Sequence, residues 1–172
     1  MIGMSKPLDA ALSQEIATRI KSSKSSFDNA YNAALIIEGA KYVQGFLVMA
    51  GAPFKPIEHS WIEIENCLID PSLPRLNKKP QELYYFPAQS LTVKQLKAAV
   101  EEAKEDYPED PPLPIYGTAP YSYYGDIMLG GAEYQAAHEE ALIQCREVNK
   151  PKENGASNLD GIGLNVGNSA ES

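Results

Sequence analysis

Apolar residues return at every fourth position near the start of the chain. Leu8, Leu12, Ile16 and Ile20 would form one stripe of a helix, which predicts a helix over 8–21. Lys21-Ser22-Ser23-Lys24-Ser25-Ser26 interrupts the stripe, and its last serines suit a helix N-cap. Phe27, Ala30, Tyr31, Ala34 and Ile37 restore the helical period over about 27–38, with Asp28 in the first turn and Gly39 placed as the C-cap. The period then changes. Residues 42–49 are rich in β-formers and run into the turn signal Ala50-Gly51-Ala52-Pro53. Over 57–65 the pattern alternates, with His59, Trp61 and Glu63 on one side of a strand and Ser60, Ile62 and Ile64 on the other. Glu65-Asn66 is a short turn, and 67–70 is the return strand.

Beyond Asp70-Pro71 the signal thins. Leu83-Tyr84-Tyr85-Phe86 reads as a short strand ended by Pro87, and 92–104 as a helix with Thr92 as cap and Val93, Leu96 and Val100 inward. Residues 107–124 are rich in proline and tyrosine, so they are expected to be irregular, mostly extended and on the surface. Gly130-Gly131 precedes a last helix, 132–148, with Tyr134, His138, Ala141, Leu142 and Cys145 on one face. Helices alternating with a strand meander define an α+β domain over 1–148. The Gly-, Asn- and Ser-rich stretch 149–172 has too few large apolar groups to offset its ordering entropy and is expected to be a disordered or partner-docked tail.

Composition narrows the function classes. The formal net charge of -8 with no basic cluster argues against phosphate-driven nucleic-acid binding and against attachment to an anionic membrane surface. No apolar run approaches the length of a membrane span, and 1–7 has no leader-like apolar region, which suits a cytoplasmic setting. Two distant cysteines, Cys67 and Cys145, form no CxxC motif, so neither a zinc nor a redox site is expected, and no other cofactor is expected either.

Three short pieces carry chemistry: Ser26-Phe27-Asp28-Asn29-Ala30 at a helix start, Glu58-His59-Ser60-Trp61 on a strand, and Leu68-Ile69-Asp70-Pro71 on the next. A nucleophile at a helix N-terminus gains from the dipole and from backbone N–H groups that can receive an oxyanion. A histidine on a facing strand can take its proton, and a carboxylate on the neighbouring strand can hold the imidazole in the needed tautomer. Each piece also has a plainer role: Ser26 as a cap, His59 as a strand residue bonded to a carbonyl, Trp61 as core and Asp70-Pro71 as a turn opener. His138 reads as a packed structural histidine. A metal at Glu58, His59 and Asp70 is disfavoured because one histidine is thin for zinc.

The order and spacing resemble the papain-like and transglutaminase-like cysteine enzymes, over about 48 residues. Members there read Cys-aromatic-x-Asn-Ala at a helix start, Glu-His-x-Trp on a strand and Asp-Pro after a hairpin. The matching positions here are Phe27 and Asn29-Ala30, then Glu58, His59 and Trp61, then Asp70-Pro71. The resemblance implies a nucleophile-bearing helix packed on a small antiparallel sheet, with additional C-terminal helices. It implies His59 as general base, Asp70 as orienting acid, and Phe27, Asn29, Glu58 and Trp61 as cleft and supporting residues. The nucleophile position is Ser26, where the family has cysteine, and neither Cys67 nor Cys145 is placed to substitute. A thiol ionises beside histidine before substrate arrives; a hydroxyl does not. Three explanations stand open: an engineered inactivation, a natural pseudoenzyme, or a working serine variant.

Two functions follow. One is a cysteine-type amide hydrolase or acyl transferase, inactive or weakly active as written, whose substrate is a peptide or protein amide. The other is a non-catalytic binding or structural protein that uses the fold for a protein partner, for which the tyrosine-rich arm Tyr116–Tyr124 and the tail would be suited. A phage-type assembly or accessory protein, associated with a virion, would share these features.

Overall fold

The computed structural model describes residues 6–115, 122–124, 127–129 and 131–151. Helix α1 (Ala10–Ile20) and helix α2 (Ser26–Ile36) precede the strands β1 (Lys41–Met49), β2 (Ile57–Glu63) and β3 (Leu68–Ile69). A short helix α3 (Leu73–Leu76) and a 3-10 turn (Pro80–Glu82) lead into β4 (Leu83–Thr92) and α4 (Val93–Asp106). A small hairpin of β5 (Ser122–Tyr124) and β6 (Ile127–Leu129) and the long helix α5 (Ala132–Val148) follow. The first four strands form one antiparallel sheet in the order β3-β2-β1-β4, and the fold is α+β.

Strand β1 is the centre of this sheet, buried from Tyr42 to Val48 because both its faces are covered. On one face Tyr42, Ile62 and Ile69 meet Ala30, Ala33 and Ala34 of α2, together with Ile16, Leu96 and Val100. The three alanines let α2 lie close to the strands. Further along the same face, Phe46 and Val48 receive Tyr134, Ala137, Ala141 and Cys145 of α5. The other face carries Val43, Leu47, Trp61, Leu68, Leu83 and Tyr85, closed over by Leu73, Leu76 and Leu8. The alternation in β2 is thus real, but both sides are interior: Ser60 and Ile62 are as buried as Trp61.

Local sequence explains the element ends, and several differ from expectation. Asp9 takes the N-cap of α1 by accepting the Leu12 N–H at 3.0 Å, so the helix begins after Leu8, which instead forms a bridge with Leu68. Helix α2 stops at Ile36 because Ile37 is already extended; Gly39 lies in the following turn at φ 78° and is not the C-cap. Strand β4 does not end at Pro87. It runs on to Thr92, because it is an edge strand and Pro87 sits where the register with β1 shifts between Gln44 and Gly45. Gly45 is required there: a Cβ would lie 2.0 Å from the Phe86 carbonyl oxygen. Thr92 caps α4 in a capping box with Gln95.

Two expectations about the later chain are corrected. The segment 107–115 is irregular, but its end is not laid on the surface. The Ile115 N–H donates to Gln44 Oε1 at 2.7 Å, and its carbonyl accepts from Gln44 Nε2, Gln89 Nε2 and the Tyr134 hydroxyl. Buried polar side chains in the sheet need partners, and this backbone supplies them. Residues 122–124 pair with 127–129 rather than staying irregular, while the rest of the arm, 116–121, lies outside the described residues. Asn149 belongs to the fold, not to a detached tail: its side chain accepts the Gly51 N–H at 2.7 Å and donates to the Cys145 carbonyl at 3.0 Å. The remainder of the expected tail, 152–172, lies outside the described residues. On α5 the inward face is Tyr134, Ala137, His138, Ala141 and Cys145, with Leu142 only half-buried.

Candidate functional site

Asp70 is the most heavily anchored residue of the site. It follows β3 directly, and its carboxylate is fully buried. Oδ1 accepts the Ser72 N–H at 2.9 Å, an Asx turn of the kind that Asp-Pro favours. Its own N–H donates to Ser13 Oγ at 2.9 Å, so α1 helps to set where β3 ends. Oδ2 takes two partners at once: His59 Nε2 at 2.8 Å and the Tyr85 hydroxyl at 2.7 Å. An ionised carboxylate only accepts, so both partners must bring a proton. Burial, with Asp70 adding to it, pushes the Tyr85 hydroxyl far up from its ordinary range and keeps it a donor. With the Nε2 proton directed at Asp70, Nδ1 is the nitrogen left to exchange a proton with a reactant.

His59 is held from its sides as well as from its end. Its ring stacks on Trp61 with centroids 6.2 Å apart, and Tyr85 meets Trp61 edge-on at 5.0 Å. Trp61 is fully buried, and its Nε1–H donates to Glu63 Oε2 at 3.4 Å. Opposite His59 on β1 is Gly45, so no side chain crowds the ring from that strand.

Helix α2 brings Ser26 to the same place. The N-cap is Ser25, whose hydroxyl accepts the Asp28 N–H at 3.2 Å; the cap role expected for Ser26 is therefore corrected by one residue. Ser26 is the first helical residue, and its hydroxyl accepts the Ser60 N–H at 3.2 Å. That N–H is available because β3 is short: its ladder with β2 reaches only Ile62. The helix end is tied down by Asn29, whose amide accepts the Ser23 N–H and donates to the Ser23 carbonyl and to Ser72 Oγ at 2.8 Å. Asn29 thus fastens the α2 entrance to the turn that starts at Asp70.

Ser26, Phe27, Glu58 and His59 line one open cleft of about 530 Å³, together with Lys24, Ser25, Ile57, Ser72, Arg75 and Leu76. Asp70 lies beneath it, behind His59. Of the residues singled out in the sequence, Ser26, Phe27, Glu58 and His59 therefore face the cleft, while Asn29, Trp61 and Asp70 support it from below. Sequence reasoning missed Ser13, Ser72 and Tyr85. Ser72 carried a faint signal, two places after an Asp-Pro turn opener; Ser13 and Tyr85 carried none, because their elements meet Asp70 only through the tertiary fold.

Other candidate chemistry is absent from this cleft. Cys67 immediately precedes β3, where burial and, secondarily, Asp9 push its thiol up, away from a reactive thiolate. Cys145 is packed in the α5 core. His138 is also in that layer, edge-on to Phe46 at 5.0 Å, and burial lowers its pKa. Among the described residues no three His, Cys, Asp or Glu side chains converge as metal ligands, and no helix is long and apolar enough to cross a membrane. No protein-family model, curated protein or solved structure matches the chain.

Proposed function

We propose that the cleft is a nucleophile–histidine–aspartate site of the papain and transglutaminase type, with Ser26 in the nucleophile position. Chemistry of this class breaks an amide and moves its acyl group to water or to a second amine. The observation that carries the reading is the 2.8 Å contact between His59 Nε2 and the buried Asp70 carboxylate, next to a cleft that Ser26 enters from the first turn of α2.

In the cysteine form of such a site, the nucleophile passes its proton to His59 Nδ1 and attacks the amide carbonyl. Asp70 holds the resulting imidazolium. The developing oxyanion lies near the positive end of α2. The imidazolium then protonates the departing amine, and water or an acceptor amine releases the acyl group. With serine the proton must leave during attack itself, since the hydroxyl does not ionise in advance. The chain as written is therefore a weak or inactive catalyst of this class.

A second reading rests on the Ser26 hydroxyl. Because it accepts the Ser60 N–H, the serine already has a structural task in tying α2 to β2. A protein that kept the cleft for binding a peptide or protein partner would retain that bond and need no thiol.

The test is alkylation by iodoacetamide of the thiol introduced by Ser26→Cys, followed as a function of pH and located by peptide mass spectrometry. A catalytic-type site gives a thiolate that persists well below the free-cysteine pKa of about 8.5 and that is lost on adding His59→Ala. A thiol that titrates like free cysteine, indifferent to His59→Ala, sinks the enzymatic reading and leaves the binding one.

A further inference from the structure

The rim of the cleft carries charge opposite to the chain as a whole. The protein has a formal net charge of -8, yet two exposed cations, Lys24 and Arg75, line the space in front of Ser26 and His59, against one acid, Glu58. They come from different elements. Lys24 belongs to the loop that enters α2, and Arg75 to α3, beyond the Asp70 turn. Arg75 is held over that loop by its Nη2, which donates to the Ser22 carbonyl at 2.7 Å. The turn that presents Asp70 to His59 thus also carries Arg75 to the rim. The remaining walls are apolar: Phe27, Ile57 and Leu76.

We infer that the cleft selects a substrate with a carboxylate close to the reacting carbonyl, which Arg75 and Lys24 receive while the apolar walls hold the adjoining chain. A guanidinium presents a planar fork suited to a carboxylate, and an ammonium adds an adjustable point charge. In an otherwise acidic protein, a cationic rim also steers an anion to this one opening. This inference rests on the proposed site chemistry for the identity of the reacting group, and on the rim alone for the charge preference.

The two parts separate in one experiment. The Ser26→Cys thiol is alkylated with iodoacetate, which carries a carboxylate beside the reacting carbon, and with neutral iodoacetamide. In both reactions the sulfur displaces iodide from the methylene carbon. The ratio of the two rates is normalised to that of free cysteine, which cancels the degree of thiol ionisation. Each cation several Å from the carboxylate in water contributes about a twofold preference at low salt and Glu58 opposes it by a similar factor, so a normalised ratio of about twofold is expected, shrinking as salt is added. Arg75→Gln with Lys24→Gln should bring it to one or below, and Arg75→Lys should preserve most of it. Lys24→Glu, at an exposed site, should lower it even if Arg75 variants fail to fold. A normalised ratio near one in the parent overturns the inference, and so does a raised ratio that Lys24 and Arg75 substitutions leave unchanged. Failure of the proposed site chemistry shows elsewhere, in the iodoacetamide pH profile.

Discussion

Tyr85→Phe removes one oxygen and nothing else from the support of the site. The ring would stay in edge-on contact with Trp61, and the apolar cluster around Val43 and Leu47 would be unchanged in volume. What disappears is the 2.7 Å bond to Asp70 Oδ2, in a place where no solvent can replace it. A hydrogen bond to a buried charge is worth about 1.5–3 kcal/mol, and the expected loss of stability is of that size. For a chain of this length it corresponds to a fall of roughly 3–12 °C in melting temperature. The assay is urea unfolding followed by tryptophan fluorescence, which Trp61 reports from beside the site. A double-mutant cycle with Asp70→Ala isolates the contact: once the carboxylate is gone, Tyr85→Phe should cost less than about 0.5 kcal/mol. If Tyr85→Phe is equally costly with and without Asp70, the hydroxyl acts through something other than the carboxylate, and its place in the site is lost.

Two further outcomes follow from the same geometry. Gly45→Ala should destabilise by about 3 kcal/mol or more in urea titration, because its Cβ would meet the Phe86 carbonyl and the backbone of β4 must move; a neutral effect would mean that the bulge at Pro87 is not as tight as described. Tyr42, Tyr85 and Tyr134 all have pKa values raised chiefly by burial. Folding therefore holds their protons more tightly than the unfolded chain does, where tyrosine ionises near pH 10. Their stabilising contribution is complete below about pH 10 and falls away above it, by about 4 kcal/mol per pH unit for three groups together. Ionisation of these three of the ten tyrosines should consequently accompany the loss of circular dichroism in alkali, and their reversible ionisation within intact secondary structure would contradict the reasoning.

How much of this could be read from the chain depended on how local each cause was. The α5 boundaries, the Thr92 cap and the hairpin that sets His59 against Asp70 are written in short-range pattern: a periodic stripe, a capping residue, alternation closed by a turn. The extent of β4 was not, because proline is excluded from a central strand but tolerated at an edge, and only the assembled sheet shows which strand is the edge. Ser25 and Ser26 could not be ranked as caps from sequence, since both are serines before an apolar run. The geometry of the Asp28 N–H decides between them. Tyr85 looked like any aromatic strand residue; its role follows from β4 pairing with β1, two strands away from β3. Likewise Ile115 sat in a segment whose composition argued for the surface, and the unmet needs of Gln44 and Gln89 drew its backbone inward.

The fold depends unequally on the three members of the constellation, and this bears on what a serine at position 26 means. His59 and Asp70 form a buried pair into which Tyr85, Ser72, Ser13 and Trp61 are all built, so removing either partner leaves an uncompensated polar group in the core. Selection for stability alone therefore retains both, whether or not the cleft turns over a substrate. Ser26 is different. It is half-buried, its only described bond is acceptance of one N–H, and a thiol fits the same space and can still accept weakly. Exchange between serine and cysteine there changes the chemistry of the cleft while leaving its architecture nearly untouched. The intact His59–Asp70 pair consequently speaks for the stability of the site, and the reactivity of a thiol at the Ser26 position is the measurement that speaks for catalysis.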